Sequence, residues 1–438
     1  MSEFVPYAEG PLSWIPGDVQ AAFPQSGPIH RYMHWATQCT DTPPLFHLGA
    51  MLPTFATRLA WTGVRLHNDH PLRLWCLLVA GAGFGKSTPL KMAQRFVVDH
   101  LEQTKDTPHE QPLVRFEGTA QGLFSVLQGT YIPELEQEIA LVHTDEAAPI
   151  LTQRYQDSAG KFFCQLYDGE RMERQVLHLQ RAVAKGESKK PVLHRPTISA
   201  AFACTLDEFE TTASKNVVGN GLLSRFLSFH AMPTKLMYRQ LAHESGRTAV
   251  LDAWNEWFGG LRGTLLLDPK TQLVSSVGAE NMLQTRVFDP LAARFAKNPS
   301  DALFAIARRG MAHINIVAGL YALNRLSFEI SATDMLQAIE LFEHTLTFNR
   351  ELVPRMGKGE AFQRHDALLQ AAKAGGASGV AKSDFYRLLK GVSKPELDML
   401  LDTLVDSEEL VLETVRGGRG RPSQRFYLPE HQPSKTAN

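Results

Sequence analysis

Ala80-Gly81-Ala82-Gly83-Phe84-Gly85-Lys86-Ser87-Thr88 follows an apolar run and precedes a helical pattern from Leu90 to Asp99. Glycines at every second position let the backbone curl until several N–H groups converge on one point, and the helix N-terminus beyond adds its positive end. A loop of this kind cradles phosphate. Lys86 is placed to reach the β- and γ-phosphates of ATP, and Ser87 to hold Mg²⁺. Gly81, Gly83, Gly85, Lys86, Ser87 and Thr88 are therefore the candidate nucleotide-binding residues. The full pattern has a glycine where this chain has Ala80; the later glycines make the closest phosphate approach, so little is lost.

Leu141-Val142-His143-Thr144-Asp145-Glu146 reads as a strand ending in two carboxylates. Asp145 is placed to anchor Mg²⁺ through water and Glu146 to polarise the attacking water. By itself such an ending is more often a solvated turn; behind a phosphate loop it becomes a catalytic pair. Asp145 falls 59 residues beyond Lys86, room for one helix and one additional strand. Adjacent Asp-Glu suits an ATPase using water as nucleophile and argues against a small-molecule kinase on the same loop.

Further candidates follow along the chain. Thr197 to Thr205 is a strand pattern with a polar end, from which Thr205, or failing it Cys204, would touch the γ-phosphate or the water. The plain alternative is a strand running out into a capped helix at Asp207. Gly221-Leu222-Leu223-Ser224-Arg225-Phe226 sets one arginine among apolar neighbours. Arg225 suits an arginine finger offered to the next subunit's ATP, a role worth about 10³–10⁵ in rate. Arg308 and Arg309 open the helical pattern Ile306–Leu323, where cations either contact nucleotide from a helical lid or end solvated.

The elements that must position these residues read as α/β. Apolar runs at Leu74–Ala80, Ile139–His143 and Thr197–Cys204, with a weaker fourth at Phe226–His230, alternate with helical stretches as in a parallel sheet. This core is expected over residues 71–235. Residues 1–70 hold a Pro-containing extended arm to about 27 and then helical patterns; 236–353 comprise a mixed segment without clear assignment and a helical lid. In the lid, Ser331 to Leu352 follows Ile306–Leu323 as a second helix, with an N-cap in Ser331-Ala332-Thr333-Asp334. A linker is expected at 354–360. Helical patterns at His365–Ala372, Lys382–Lys390 and Ser393–Ser407, then strands Val411–Val415 and Gln424–Leu428, describe a winged helix over 361–430. Residues 431–438 read as a disordered tail.

Composition bounds the setting. At 438 residues the chain suggests two to four domains, and 44% hydrophobic with 21% charged residues is ample for packed cores. A net charge of −1 provides no global pull toward nucleic acid, so any such binding rests on local basic features. Cys39, Cys76, Cys164 and Cys204 are far apart, which fits a reducing cytosol rather than a disulfide or zinc framework. No apolar run nears the roughly 20 residues of a membrane span, and no signal-peptide pattern opens the sequence. The expectation is a soluble, cytoplasmic protein without membrane contact.

Two segments carry the local basic features. Val176–Val183 and Pro191–Leu193 flank a Lys/Gly turn as a β-hairpin would, with Lys185, Lys189 and Lys190 at its tip. Such a tip would grip phosphate with little regard for base sequence and weaken as salt rises. The second segment, Arg416-Gly417-Gly418-Arg419-Gly420-Arg421, suits a minor groove or phosphate track. The helix before it carries Glu396, Asp398, Asp402 and Asp406, which repel DNA, so nonspecific wing contact and protein docking both stay open.

In order and content, the phosphate loop, Val142–Glu146, Leu222–Phe226 and the helical lid resemble AAA+ helicases of the minichromosome-maintenance group. Phe84–Ser87, Thr144–Glu146, Leu166-Tyr167-Asp168-Gly169-Glu170 and Gly221–Phe226 look closer still to phage- and plasmid-encoded primase-helicase-like ATPases, over about residues 40–350. The resemblance implies an AAA+ core using ATP and Mg²⁺, and a homo-oligomer, a hexamer, on single-stranded or forked DNA. It also implies a replicative setting on a mobile element, with a primase or other replication protein as a further partner, and matches Lys185, Lys189 and Lys190 to a lysine hairpin projecting into the ring's pore. The main competing expectation is an ATP-controlled assembly or regulatory protein that binds DNA or partners without unwinding.

Overall fold

The computed structural model describes residues 15, 17–67, 70–104, 113–116, 119–147, 161–173, 192–212, 221–231, 244–267, 272–297, 304–352, 360–389, 392–406, 409–415 and 423–431. The chain divides into two compact units, Met1–Met356 and Gly357–Asn438.

Five strands of the first unit run parallel in one sheet: β1 (Trp75–Ala80), β2 (Leu113–Arg115), β3 (Gln137–Thr144), β6 (Thr197–Thr205) and β7 (Leu227–His230). Their order across the sheet is β2-β3-β6-β1-β7, and the two-residue strand Tyr131–Ile132 pairs antiparallel with β3. The short strands β4 (Met172–Glu173) and β5 (Val192–Leu193) pair antiparallel elsewhere. Every residue of β1 is buried because helices cover both faces, which is why it reads as a continuous apolar run.

Side chains alternate across the pleat. Trp75, Leu77 and Val79 enter a core with α4 (Ala120–Leu127) and α5 (Lys161–Asp168). Cys76, Leu78 and Ala80 enter the opposite core, built by α1 (Gly27–Cys39), α2 (Pro44–Ala60), α3 (Ser87–Thr104) and α7 (Glu244–Leu267). Helix α2 is buried from Leu45 to Ala60 and lies directly on the sheet. A Cβ on Gly49 would sit 2.8 Å from Leu78 and Phe229, so only glycine admits this approach. The end of the segment expected as an extended arm instead forms a helical turn, Gly17–Gln20, with Val19, Ala22 and Phe23 buried. It is pinned to α10 (Phe304–Asn324): Asn324 donates to Ser26 O and accepts from Ile29 N, and Tyr321 Oη donates to Ala22 O.

The stretch without clear assignment holds α7, the strand Gln272–Ser275, α8 (Val277–Leu283), a π-helical turn over Gln284–Phe288 and α9 (Asp289–Lys297). Gly259, Gly260 and Gly263 inside α7 weaken its local helical signal, and tertiary packing of Trp254, Phe258 and Leu261 overrides it. Helix α10 packs on α11 (Ala332–Leu352), where a Cβ on Gly310 would meet the Phe342 ring at 1.9 Å. Ser331 caps α11, its hydroxyl accepting from Asp334 N while the Asp334 carboxylate accepts from Ser331 N.

The second unit contains α12 (Glu360–Gly375), α13 (Lys382–Leu388) and α14 (Lys394–Asp406). A three-stranded antiparallel sheet of order β8-β10-β9 joins Val380–Ala381 (β8), Val411–Val415 (β9) and Ser423–Tyr427 (β10). Its core gathers Leu368, Phe385, Leu397, Leu401, Leu404 and Phe426. Arg416, Arg419 and Arg421 lie outside the described residues, as do Lys185, Lys189 and Lys190.

Candidate functional site

The phosphate loop leaves the carboxyl end of β1, between β6 and β7 in the sheet, and runs into α3. Gly83 and Gly85 have φ of +83° and +69°, the left-handed region that lets consecutive N–H groups turn inward. A Cβ on Gly85 would also meet the Thr42 hydroxyl at 2.9 Å. Lys86 is buried, its ammonium donating to Ala80 O at 3.1 Å and Gly81 O at 2.8 Å. Burial lowers its pKa, against the pull of nearby Cys204 and Glu208. The amine is thus folded onto the carbonyls of the loop whose phosphate it would serve.

Register brings the other candidates to the same end. Ala80 pairs with Thr205 and Thr144 with Phe202, while Ala147 N donates to Ala203 O, so the chain after β3 turns across the end of β6. Asp145 and Ser87 line one cavity of about 170 Å³ together with His143, Gln94, Lys91 and Arg115. Arg115, at the end of β2, lies 3.8 Å from Asp145. Thr205 closes a capping box: its hydroxyl accepts from Glu208 N, and Glu208 Oε2 accepts from Thr205 N. It thereby starts α6 (Leu206–Thr212) as well as standing beside the loop.

The residues present fit a magnesium nucleotide. The loop has open space over Gly83, where a Cβ would meet nothing within 4 Å. Ser87 would supply a hydroxyl and Asp145 a carboxylate to a cation that keeps several waters and binds phosphate.

Arg225 and Arg309 are elsewhere. Arg225 precedes β7 at the amino end of the sheet, separated from the phosphate loop by the length of β1, roughly 20 Å. It is 6% exposed; its Nη2 donates to Asp168 at 2.5 Å and its Nη1 to Gly221 O at 2.7 Å. Arg309 on α10 donates to the other oxygen of Asp168 at 3.2 Å. Arg308 is exposed.

Sequence reasoning does not single out the groups that complete this cluster. Arg73, before β1, donates to Pro196 O, and its guanidinium joins those of Arg225 and Arg309 around the Tyr167 ring at 5.5, 5.8 and 5.6 Å. The Tyr167 hydroxyl and His313 Nε2 lie 2.9 Å apart. Burial raises the Tyr167 pKa and pushes His313 down to about 3, so both are neutral. Burial opposes the ionised form of Asp168, but Arg225 and Arg309 outweigh it and hold the carboxyl below its ordinary value. The one signal available was Leu166–Glu170, where Gly169 ends α5 at φ +72° and a Cβ would strike Arg73.

A phosphate loop between the buried strand β1 and its following helix, in a parallel sheet covered on both faces, is compatible with a core of P-loop type. No protein-family model matches the chain, and no curated protein matches it. Among solved structures the chain is similar to the SCCmec type IV Cch active helicase, with TM-score 0.38 and 11% identity over 88% of this chain and 67% of that one. A likeness at that score carries no weight for function, which rests on the geometry of the site. Among the described residues no helix is long and apolar enough to cross a membrane.

Proposed function

We propose that this chain is an AAA+ ATPase that assembles into a ring, a hexamer, and converts Mg²⁺-ATP hydrolysis into movement along single-stranded or forked DNA, as a replicative helicase does. One observation carries the reading: the candidate groups split between the two ends of the sheet. Gly81, Gly83, Gly85, Lys86, Ser87, Thr88, Asp145, Glu146 and Thr205 belong to the carboxyl end, where nucleotides bind in open α/β sheets. Arg225 and Arg309 stand at the amino end, out of reach of that phosphate. A finger so placed serves the neighbouring subunit, which makes the ring a requirement of the chemistry. Glu146 polarises the attacking water, Lys86 and Mg²⁺ on Ser87 and Asp145 neutralise the phosphates, and the neighbour's arginines take up charge developing in the transition state.

The antiparallel pair β4–β5 brackets residues 174–191 and supports the hairpin reading of that segment. Lys185, Lys189 and Lys190 then grip the translocated strand in the pore. Helices α10 and α11 serve as the lid, and the second unit as a winged helix whose Arg416, Arg419 and Arg421 contact DNA or a partner such as a primase. Cytoplasmic replication on a mobile element is the setting this reading favours.

The test is the ATPase rate with and without single-stranded DNA, for wild type and Glu146→Gln, with oligomer mass recorded alongside. DNA stimulation, at least a hundredfold loss in Glu146→Gln, on the order of the general-base contribution, and ATP-dependent ring assembly are expected. Turnover from a monomer indifferent to DNA overturns the motor and leaves the ATP-controlled assembly or regulatory protein.

A further inference from the structure

Resting on the finger reading of Arg225, we propose that Asp168 is a positioning residue that aligns Arg225 and Arg309 as one bidentate clamp for the phosphate bound by the neighbouring subunit. Each oxygen of the carboxylate takes one guanidinium, Oδ2 from Arg225 at 2.5 Å and Oδ1 from Arg309 at 3.2 Å. The two arginines come from different parts of the unit, Arg225 from the 3-10 turn Leu223–Arg225 before β7 and Arg309 from α10, and Asp168 is their shared partner. The carboxylate is held at the end of α5 by the left-handed turn at Gly169, against which Arg73 packs.

Charge count points the same way. Three guanidiniums, Arg73, Arg225 and Arg309, surround Tyr167, and among the described residues the one carboxylate paired with them, Asp168, neutralises a single charge. The remaining excess favours a further anion. Arg225 Nε is buried and has no hydrogen-bond partner among the described residues, so the donors of this guanidinium are not all satisfied by them. Access differs within the cluster: Arg225 is buried, whereas the side chains of Asp168 and Arg309 are 34% and 31% exposed. The cluster therefore opens to solvent at Asp168, where the ends of both guanidiniums meet. Donors fixed before the reaction need no reorganisation when charge develops, which is the source of their catalytic worth.

Subunit mixing tests this in the full-length chain. Lys86→Ala subunits bring arginines but no working loop; Arg225→Ala subunits bring a loop but no finger. Mixed together they recover ATPase if the finger acts between subunits. Asp168→Asn alone is expected to lose about 10²-fold in kcat with KM changed less than about threefold, because a conserved ground-state affinity with lost transition-state contacts is the mark of mispositioned donors. Mixing Asp168→Asn with Lys86→Ala subunits is expected to restore turnover, and mixing it with Arg225→Ala is not. A structural lesion in the subunit's own loop gives the reverse pattern and overturns the proposal, as does a wild-type rate for Asp168→Asn. If Lys86→Ala and Arg225→Ala do not complement each other, the finger reading falls and takes this inference with it. If they do, and Asp168→Asn breaks the pattern, only the inference falls. Should Asp168→Asn not fold, Asp168→Glu, which moves the charge by one methylene, carries the test with at least a roughly tenfold loss and the same partner-specific rescue; a full rate overturns it.

Discussion

At the scale of single residues, burial decides which charges are available. Lys86 directs its ammonium to the carbonyls of Ala80 and Gly81, so the nucleotide proposed for this loop would exchange two neutral acceptors for phosphate oxygens. Arg225 is the opposite case, a buried cation whose counter-ion is Asp168 and whose ring neighbour is Tyr167. Arg225→Ala removes the cation and leaves Asp168 paired with Arg309 alone. The expected outcome is a fall of about 10³-fold in kcat with nucleotide affinity retained, read from steady-state ATPase and equilibrium binding of a fluorescent ADP analogue. Arg225→Lys recovers little, because an ammonium cannot reproduce the fork that meets Asp168 and Gly221 together.

At the scale of elements, close approach matters more than propensity. Helices α10 and α11 meet where Gly310 faces the ring of Phe342, and the added methyl of Gly310→Ala has nowhere to go. Helix propensity alone favours alanine by about 1 kcal/mol, yet overpacking at a contact this tight costs about 1–3 kcal/mol. The expected sign is therefore destabilisation, measured as a lowered urea midpoint without change in slope. A stabilised Gly310→Ala protein would mean that α10 and α11 sit further apart. The same contact carries Arg309, so a shift of α10 also reaches the cluster at Asp168. Trp75 anchors β1 beneath that cluster: its Nε1 donates to Ile198 O at 2.7 Å and its ring packs on Phe163, Tyr167 and Phe226.

At the scale of the whole first unit, two buried histidines link stability to pH. His47 and His313 are both held down to about 3 by burial, against about 6.5 in an unfolded chain. Between those values the unfolded state binds protons that the folded state refuses. Stability is therefore complete above pH 6.5 and falls as pH drops toward 3, by up to about 1.4 kcal/mol per pH unit for each histidine. Asp168, with its lowered pKa, adds to the loss only once pH falls below the ordinary carboxylate range. Urea titrations from pH 7.5 to 5 check this, and a flat profile would show that neither histidine stays neutral when buried. His47→Gln, replacing a side chain that lies near Thr40 Oγ1, should roughly halve the slope.

Local pattern determined a good deal on its own. The glycine spacing before Lys86, the apolar run into Asp145-Glu146 and the capping residues at Ser331 are short-range features, because loop curvature, strand burial and helix starts depend on neighbours a few residues away. The helices and strands of 361–430 were legible for the same reason. The middle of the chain was not: α7 forms over a glycine-rich stretch because Trp254 and Phe258 find Phe55 and Arg58 on α2 and Phe96 and His100 on α3, far away in sequence. Tertiary structure alone decided that Arg225 and Arg309 share Asp168, that Arg73 joins them, and that Thr205 stands level with Ala80. Those groups come from strand ends and helices separated by up to hundreds of residues. Only the parallel register of the sheet, with its two chemically distinct ends, sorts the candidate nucleotide-binding groups to one side and the arginine cluster around Tyr167 to the other.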